Sequence, residues 1–269
     1  MGPRIGLIAG SGDFPLFVLN EAKAQGLWCA VLSVQVGAPD ALESQADAWG
    51  RASAGRPAEA LAFFRSHGVR DLVFAGKIDP VSVFSPGGLD AAGRKLIESL
   101  PDKRPAALIR KVYELIEAQG FRVMDPGPYL KPFLCAEGDL TPAGPSPEAR
   151  DDIAFGWPIA RAVADLDIGQ TLVVKDKMVV AAEGWEGTDE AIRRGGRLAG
   201  PGTVVLKVGR TVQEPGVDLP AVGLGTVHAL VEAGASALCI EAVRVPFFER
   251  EEAVALAESR GLALTARRG

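Results

Sequence analysis

Cysteine and histidine are scarce in this chain. Cys29, Cys135 and Cys239 are the three cysteines among 269 residues, and they stand far apart. An odd, scattered set makes no disulfide framework and fits buried thiols in a reducing compartment. His67 and His228 are the two histidines, and neither CxxC nor HExxH occurs. That argues against a His/Cys metal centre, and any metal is expected to be Mg²⁺ on oxygen ligands. Positive charge is also short. With 29 Lys and Arg against 34 Asp and Glu, the net charge is −5. That argues against a nucleic-acid partner but leaves room for a local phosphate site. No run approaches the ~20 apolar residues that span a bilayer. The opening MGPRIGLIAGSG is broken by glycines where a signal peptide carries its apolar core. The expectation is a cytoplasmic protein, compatible with visits to a membrane surface.

What is present is apolar bulk, 48% of the residues, enough for one large domain or two ordinary ones. Residues 4–9 (RIGLIA) read as a buried strand. Gly10, Ser11, Gly12 and Asp13 follow, and Phe14-Pro15 opens a helix to about Gln25. Pro15 suits a first helical turn, where its missing N–H has no intrahelical partner. Strand, glycine turn and helix are the parts of a phosphate cradle, because glycine lets the backbone approach an anion at a helix N-terminus. The plain alternative is a tight turn without a ligand. An NAD fingerprint is not met: Pro15 stands at the third glycine position, and Ser33-Val34-Gln35 offers no acidic ribose partner.

Further strands are expected at 28–34, 71–75 and 121–123, with helices at 57–66 and 105–119. Gly76 and Lys77 follow the strand 71–75. Ligands gather outside strand ends in open α/β sheets, so Lys77 reads as a phosphate contact or as a solvated loop lysine. Residues 81–89 read as a loop presenting Val83 and Phe84. Six prolines fall in 125–147, which reads as an ordered linker. Tyr129, Phe133 and Leu134 within it are expected to pack.

The second half opens with a helix at 148–167, interrupted at Pro158. Strands 170–174 and 178–182 form a hairpin through Lys175-Asp176-Lys177. Glu186, Thr188 and Asp189 form a polar cluster straight after it. The cluster reads as a site or as a capped helix, with Thr188 the cap of a helix at 189–194. A strand at 203–208 then runs into a turn-rich stretch holding Asp218 between Val217 and Leu219. A carboxylate on a Pro/Gly scaffold after a strand reads as a metal or catalytic group, or as a turn-forming Asp. Thr226 is expected to cap a helix to Ala233. Strands at 237–241 and 262–265 flank a helix at 250–260.

These residues resemble the LpxI-type UDP-2,3-diacylglucosamine pyrophosphatases of lipid A synthesis. The similarity rests on GLIAGSG at 6–12, FAGK at 74–77, DIGQ at 167–170, EGTD at 186–189 with Arg193-Arg194, Gln213-Glu214, and VDLPAVG at 217–223. The resemblance implies an α/β protein: a Rossmann-like nucleotide-sugar-binding domain (1–124), the Pro-rich linker (125–147), a mixed α/β catalytic domain (148–269), and an active site between the domains. It implies Mg²⁺-assisted hydrolysis of UDP-2,3-diacylglucosamine to UMP and 2,3-diacylglucosamine 1-phosphate (lipid X). Asp218 would be the catalytic residue and metal ligand. Gly10, Ser11, Gly12, Gly76, Lys77, Glu186, Thr188, Asp189 and Gln213 would bind substrate. The loops near Phe84, 129–134 and 246–248 would meet its acyl chains. Peripheral contact with the inner membrane and a homodimer are compatible with that role. Gly216 stands where the family usually places an arginine, and a non-catalytic nucleotide-sugar binder is the alternative that this departure favours. Arg is the natural bidentate partner of a phosphate; Lys207, Arg194 and Arg210 are the cations that could replace it.

Overall fold

The computed structural model describes residues 2–76, 78, 89–100, 105–212 and 219–269. Lys77, Val83, Phe84, Gln213, Gly216 and Asp218 lie outside the described residues. The chain divides into two compact units, Met1–Leu130 and Lys131–Gln213 with Leu219–Gly269. The change from one to the other falls inside the Pro-rich stretch.

The first unit contains β1 (Arg4–Ala9), α1 (Phe14–Ala24), β2 (Trp28–Ser33), α2 (Ala41–Gln45), β3 (Ala48–Arg51), α3 (Pro57–Ser66) and β4 (Asp71–Ala75). After them come α4 (Ala91–Glu98), α5 (Pro105–Ala118), β5 (Arg122–Val123) and the short α6 (Gly127–Leu130). Its sheet has the order β3-β2-β1-β4-β5, and every pair is parallel. Successive residues of β1 feed opposite layers. Ile5, Leu7 and Ala9 pack with Val18, Leu19 and Ala22 of α1, while Ile8 packs with Leu61 and Phe64 of α3. Gly6 lets α3 close on the sheet, since a Cβ there would stand 2.7 Å from Phe64 Cδ1 and 2.5 Å from Leu72 Cδ2. With both faces covered, β1, β2 and β4 can be near-continuous apolar runs. That is why 4–9 and 71–75 are strands as expected. β3 (AWGR) and α2 escaped notice because neither carries such a run, and α4 has only two residues in the core, Gly93 and Leu96.

The second unit begins with a 3₁₀ turn (Lys131–Phe133), followed by β6 (Gly138–Asp139), α7 (Pro147–Asp165), β7 (Thr171–Lys175), β8 (Met178–Ala182), α8 (Thr188–Ala199) and β9 (Val204–Lys207). It ends with α9 (Leu224–Glu232), β10 (Ala237–Glu241), α10 (Arg250–Ser259) and β11 (Ala263–Arg267). The sheet order is β6-β11-β10-β9-β7-β8. β9, β10 and β11 are parallel, whereas β7 runs antiparallel to both β8 and β9, and β6 to β11. The architecture is thus α/β, with one parallel and one mixed sheet.

Several local expectations change. α7 runs through Pro158 without a break. Its buried stripe of Ile153, Trp157, Ala160 and Ala164 packs with Leu172, Val174 and Leu206, and that packing outweighs the hydrogen bond the proline removes. The Pro-rich stretch, by contrast, is ordered and packed as expected: Thr141 is buried against Leu264, and the Phe133 ring packs 4.8 Å from that of Phe248. Phe247 and Phe248 belong to the core, so 246–248 is not a free apolar loop. Neither threonine cap forms. Gly187 and Gly223 occupy those cap positions, Thr188 is the first residue of α8, and Thr226 lies inside α9. The hairpin turn puts Asp176 and Lys177 at φ 51° and 56°. Both of their N–H groups donate to the buried Asp152 carboxylate, at 3.0 and 2.6 Å, which holds this unfavourable turn in place.

Candidate functional site

In the first unit, the strand order reverses between β1 and β4, and an open sheet of this kind takes ligands in the crevice outside the strand ends at that point. Gly10 follows β1 and Gly76 follows β4. The two are tied by Gly10 N–H donating to Ala75 O at 2.8 Å. Gly12, at φ +81°, donates to Gly37 O at 3.2 Å, which joins the loop after β2 to the same cradle. Gly76 has φ +89°. A Cβ on it would lie 2.8 Å from Ser11 O, 2.9 Å from Gly10 C and 2.8 Å from Pro15 Cγ. Only glycine lets these turns close on one another. α1 starts directly from this loop, and a helix N-terminus favours an anion. Gly10, Ser11, Gly12 and Gly76 are therefore brought together where these turns meet.

In the second unit, chemistry-bearing side chains collect where β8 and β9 end and β7 begins. The pairing of Thr171 with Lys207 in β7 and β9 sets them side by side. The Lys207 ammonium donates to Thr188 Oγ1 at 2.6 Å, Thr171 Oγ1 at 2.9 Å and Glu183 Oε2 at 3.3 Å. Three acceptors saturate its three N–H groups. Thr188 in turn donates to Glu183 Oε1 at 2.9 Å, and Gln170 N–H donates to Oε2 at 3.1 Å. Burial pushes the Glu183 carboxyl up. The Lys207 charge and the hydrogen bonds more than offset that, leaving its pKa below the usual carboxylate range. Glu186 is ion-paired with Arg194, whose hydrogen bond holds that carboxyl low, and Arg194 also donates to Ala182 O at 2.8 Å. Asp189 sits in the first turn of α8, where a negative charge is favoured.

A second charged cluster lies at the ends of β9 and β10. Glu241, 2% exposed, accepts from Gly209 N–H at 2.9 Å and from Arg161 Nη2 at 2.5 Å, with Arg244 Nη1 at 3.3 Å. Arg210 is ion-paired with Asp167. Thr211 donates to Asp165 through its N–H at 2.6 Å and its hydroxyl at 2.8 Å. Composition and spacing gave no signal for this cluster, because its partners meet only through strand pairing and the packing of α7. Among the described residues no group of three or more His, Cys, Asp or Glu side chains could hold a metal ion. Each acid named here, Asp189 apart, already has a partner among the cations or backbone N–H groups.

The fold defines a class: a two-domain α/β protein whose first domain is a doubly wound sheet with glycine turns meeting at its switch point. The family is more specific. The model of the LpxI N-terminal domain matches residues 4–133, and that of the LpxI C-terminal domain matches residues 136–265. The chain belongs to the LpxI family. A curated relative from Caulobacter vibrioides, named UDP-2,3-diacylglucosamine pyrophosphatase LpxI, is 32% identical over 271 aligned positions, covering 96% of this chain and 95% of its own. A solved glycinamide-RNase-transformylase T from Mycobacterium tuberculosis is similar at 15% identity with a TM-score of 0.26, over 67% of this chain and 44% of its own. That likeness is too slight to carry an argument.

Proposed function

We propose that the protein hydrolyses the pyrophosphate bond of UDP-2,3-diacylglucosamine, adding water across the P–O–P bridge to give UMP and 2,3-diacylglucosamine 1-phosphate. The observation that carries this reading is the match along nearly the full length of both chains to a relative named for that reaction. The cradle of the first unit supports it, since Gly10, Gly12 and Gly76 shape backbone for a phosphate at the switch point. In this reading Asp218 is the reacting carboxylate, orienting the attacking water or ligating metal, and Lys77 and Gln213 contact substrate. Thr188 acts inside the Lys207 network, and Glu186 and Asp189 stand beside it. Trp185 (78% exposed) and Val212 (80% exposed) are apolar surfaces for the acyl chains, in place of the buried Phe247 and Phe248.

Magnesium dependence belongs to the same reading, but the described acids do not fit a preformed Mg²⁺ site, so no step is drawn through the metal. Mg²⁺ commonly takes one or two carboxylates together with substrate phosphates. Its site here would therefore rest on Asp218 and on the substrate. The protein would work in the cytoplasm at the inner-membrane face, where an acylated substrate resides. No described helix is long and apolar enough to cross a membrane. The test is UMP release from UDP-2,3-diacylglucosamine with and without EDTA. Turnover that EDTA stops supports the reading, whereas binding without turnover supports a non-catalytic nucleotide-sugar binder. One observation favours that second reading. Lys207, Arg194 and Arg210 are each engaged by a carboxylate, so none of them is free to replace the arginine missing at Gly216.

A further inference from the structure

Strand pairing in the second unit gathers five chain segments along one rim of its sheet. Thr171 lies opposite Lys207, Leu172 opposite Ala182, Lys207 beside Ile240, and Glu241 beside Arg267. The start of β7 and the ends of β8, β9, β10 and β11 therefore share this rim. Half of the ten large apolar side chains that are exposed among the described residues stand on its loops. They are Leu166 (71%) and Ile168 (53%) before β7, Trp185 (78%) after β8, Val212 (80%) after β9 and Val243 (49%) after β10. Local contacts draw them together. Gly169 backs onto Glu183, where a Cβ would stand 2.3 Å from the Glu183 carbonyl oxygen, so the 166–168 turn lies beside the Trp185 loop. Thr211 bonds twice to Asp165, which sets Val212 beside Leu166.

A single exposed apolar residue needs no explanation, whereas a gathered set marks a contact surface. Charge decides what that contact is. Asp167, Glu183, Glu186 and Glu241 on this rim each have a cation as partner. Arg267 and Arg268 stand exposed at the end of β11, in a chain whose net charge is −5. A two-fold contact with a second copy would bring two such cationic rims together, which is unfavourable. An anionic lipid surface complements them and takes up apolar tips one by one.

We infer that this rim docks on the anionic face of a lipid bilayer, with Trp185 at the headgroup level and Leu166 and Ile168 reaching into the acyl boundary. The choice of lipid rests also on the proposed function, whose acylated substrate is met at such a surface.

The experiment sediments the full chain with substrate-free vesicles of phosphatidylethanolamine and phosphatidylglycerol, and with phosphatidylcholine vesicles. Leu166→Ser combined with Ile168→Ser should weaken binding roughly tenfold or more. Met178→Ser combined with Leu198→Ser is the control. Those side chains are 68% and 66% exposed but lie by Lys175 at the other end of the sheet, so this variant should bind as the wild type does. Arg268→Ser should cost about fivefold on the anionic vesicles and nothing on the neutral ones. All these side chains are exposed, so the urea midpoint should hold in every variant. Trp185 emission should move to shorter wavelength on the anionic vesicles, a change that Trp185→Phe should lack. No sedimentation of the wild type, or equal losses in the two double variants, overturns the docking surface. So does a dimer that Leu166→Ser with Ile168→Ser dissolves in the ultracentrifuge without any vesicle binding, because the rim then belongs to a second copy. Vesicle binding without UMP release overturns the proposed function and leaves the surface standing. UMP release without vesicle binding overturns the surface alone.

Discussion

Replacing Gly76 with alanine tests the cradle through its geometry. A left-handed φ costs an L-residue ~1–2 kcal/mol, and φ +89° at Gly76 incurs that cost. The new Cβ would also meet Ser11 O, Gly10 C and Pro15 Cγ at 2.8–2.9 Å, two of them backbone atoms that cannot rotate away. Overpacking of this kind adds ~1–3 kcal/mol, so Gly76→Ala should lose roughly 2–5 kcal/mol of stability in urea. Gly68→Ala separates the two effects. Gly68 has φ +67° with nothing within 4 Å of a Cβ, so it should lose about 1–2 kcal/mol from strain alone. Relief of the clash must move the 10–12 turn away from the strand ends. Losing one hydrogen bond to a charged phosphate costs ~1.5–3 kcal/mol, or roughly 10- to 100-fold in Kd. Calorimetry with UDP on folded samples should show that loss in Gly76→Ala and an unchanged Kd in Gly68→Ala. Equal affinity in the two variants would refute the cradle as the nucleotide site.

Lys207→Met leaves Glu183 buried without its cation and should cost about 3–5 kcal/mol in urea unfolding. Adding Glu183→Gln should return much of that, and no recovery in the double variant would break the coupling argument. The folded pKa of Glu183 lies below its unfolded value, so the unfolded state takes up the proton first as pH falls. The stability it contributes is therefore present above the unfolded carboxylate value and lost as pH drops through the folded one. Glu183→Gln should flatten stability against pH on that acid side. Burial pushes the Cys29 thiol up to about 11 and that of Cys239 up to about 12, so both should resist a thiol reagent at neutral pH until urea unfolds the chain. Rapid labelling of either in native buffer, read by mass spectrometry, would contradict that burial.

Legibility in the sequence followed the range of the cause. β1, β4, β8, β10 and α3 were readable to the residue, because apolar runs and a leading proline are local signals. The glycine turns that meet after β1 and β4 are legible for the same reason: Gly10, Gly12 and Gly76 punctuate strand ends. β3 was not, since four residues with one tryptophan carry no pattern until β2 lies beside them. Pro158 signals a break locally, but the gain that carries α7 through it comes from a sheet more than ten residues away in sequence. The sequence context of Thr188 is that of a cap. Its actual partners, Lys207 and Glu183, are 19 and 5 residues distant. Glu241 gave no hint of its role, for it meets Arg161 across 80 residues and Gly209 across 32.

The central claim is hydrolysis of an acylated nucleotide sugar through Asp218. The most direct measurement is UMP release from UDP-2,3-diacylglucosamine by the purified protein beside its Asp218→Asn variant, each with Mg²⁺ and with EDTA. The account predicts UMP and the 1-phosphate in equal amounts from the wild type with Mg²⁺, and next to none from the other three samples. Substrate binding without UMP release by the wild type, or wild-type turnover by Asp218→Asn, would contradict it.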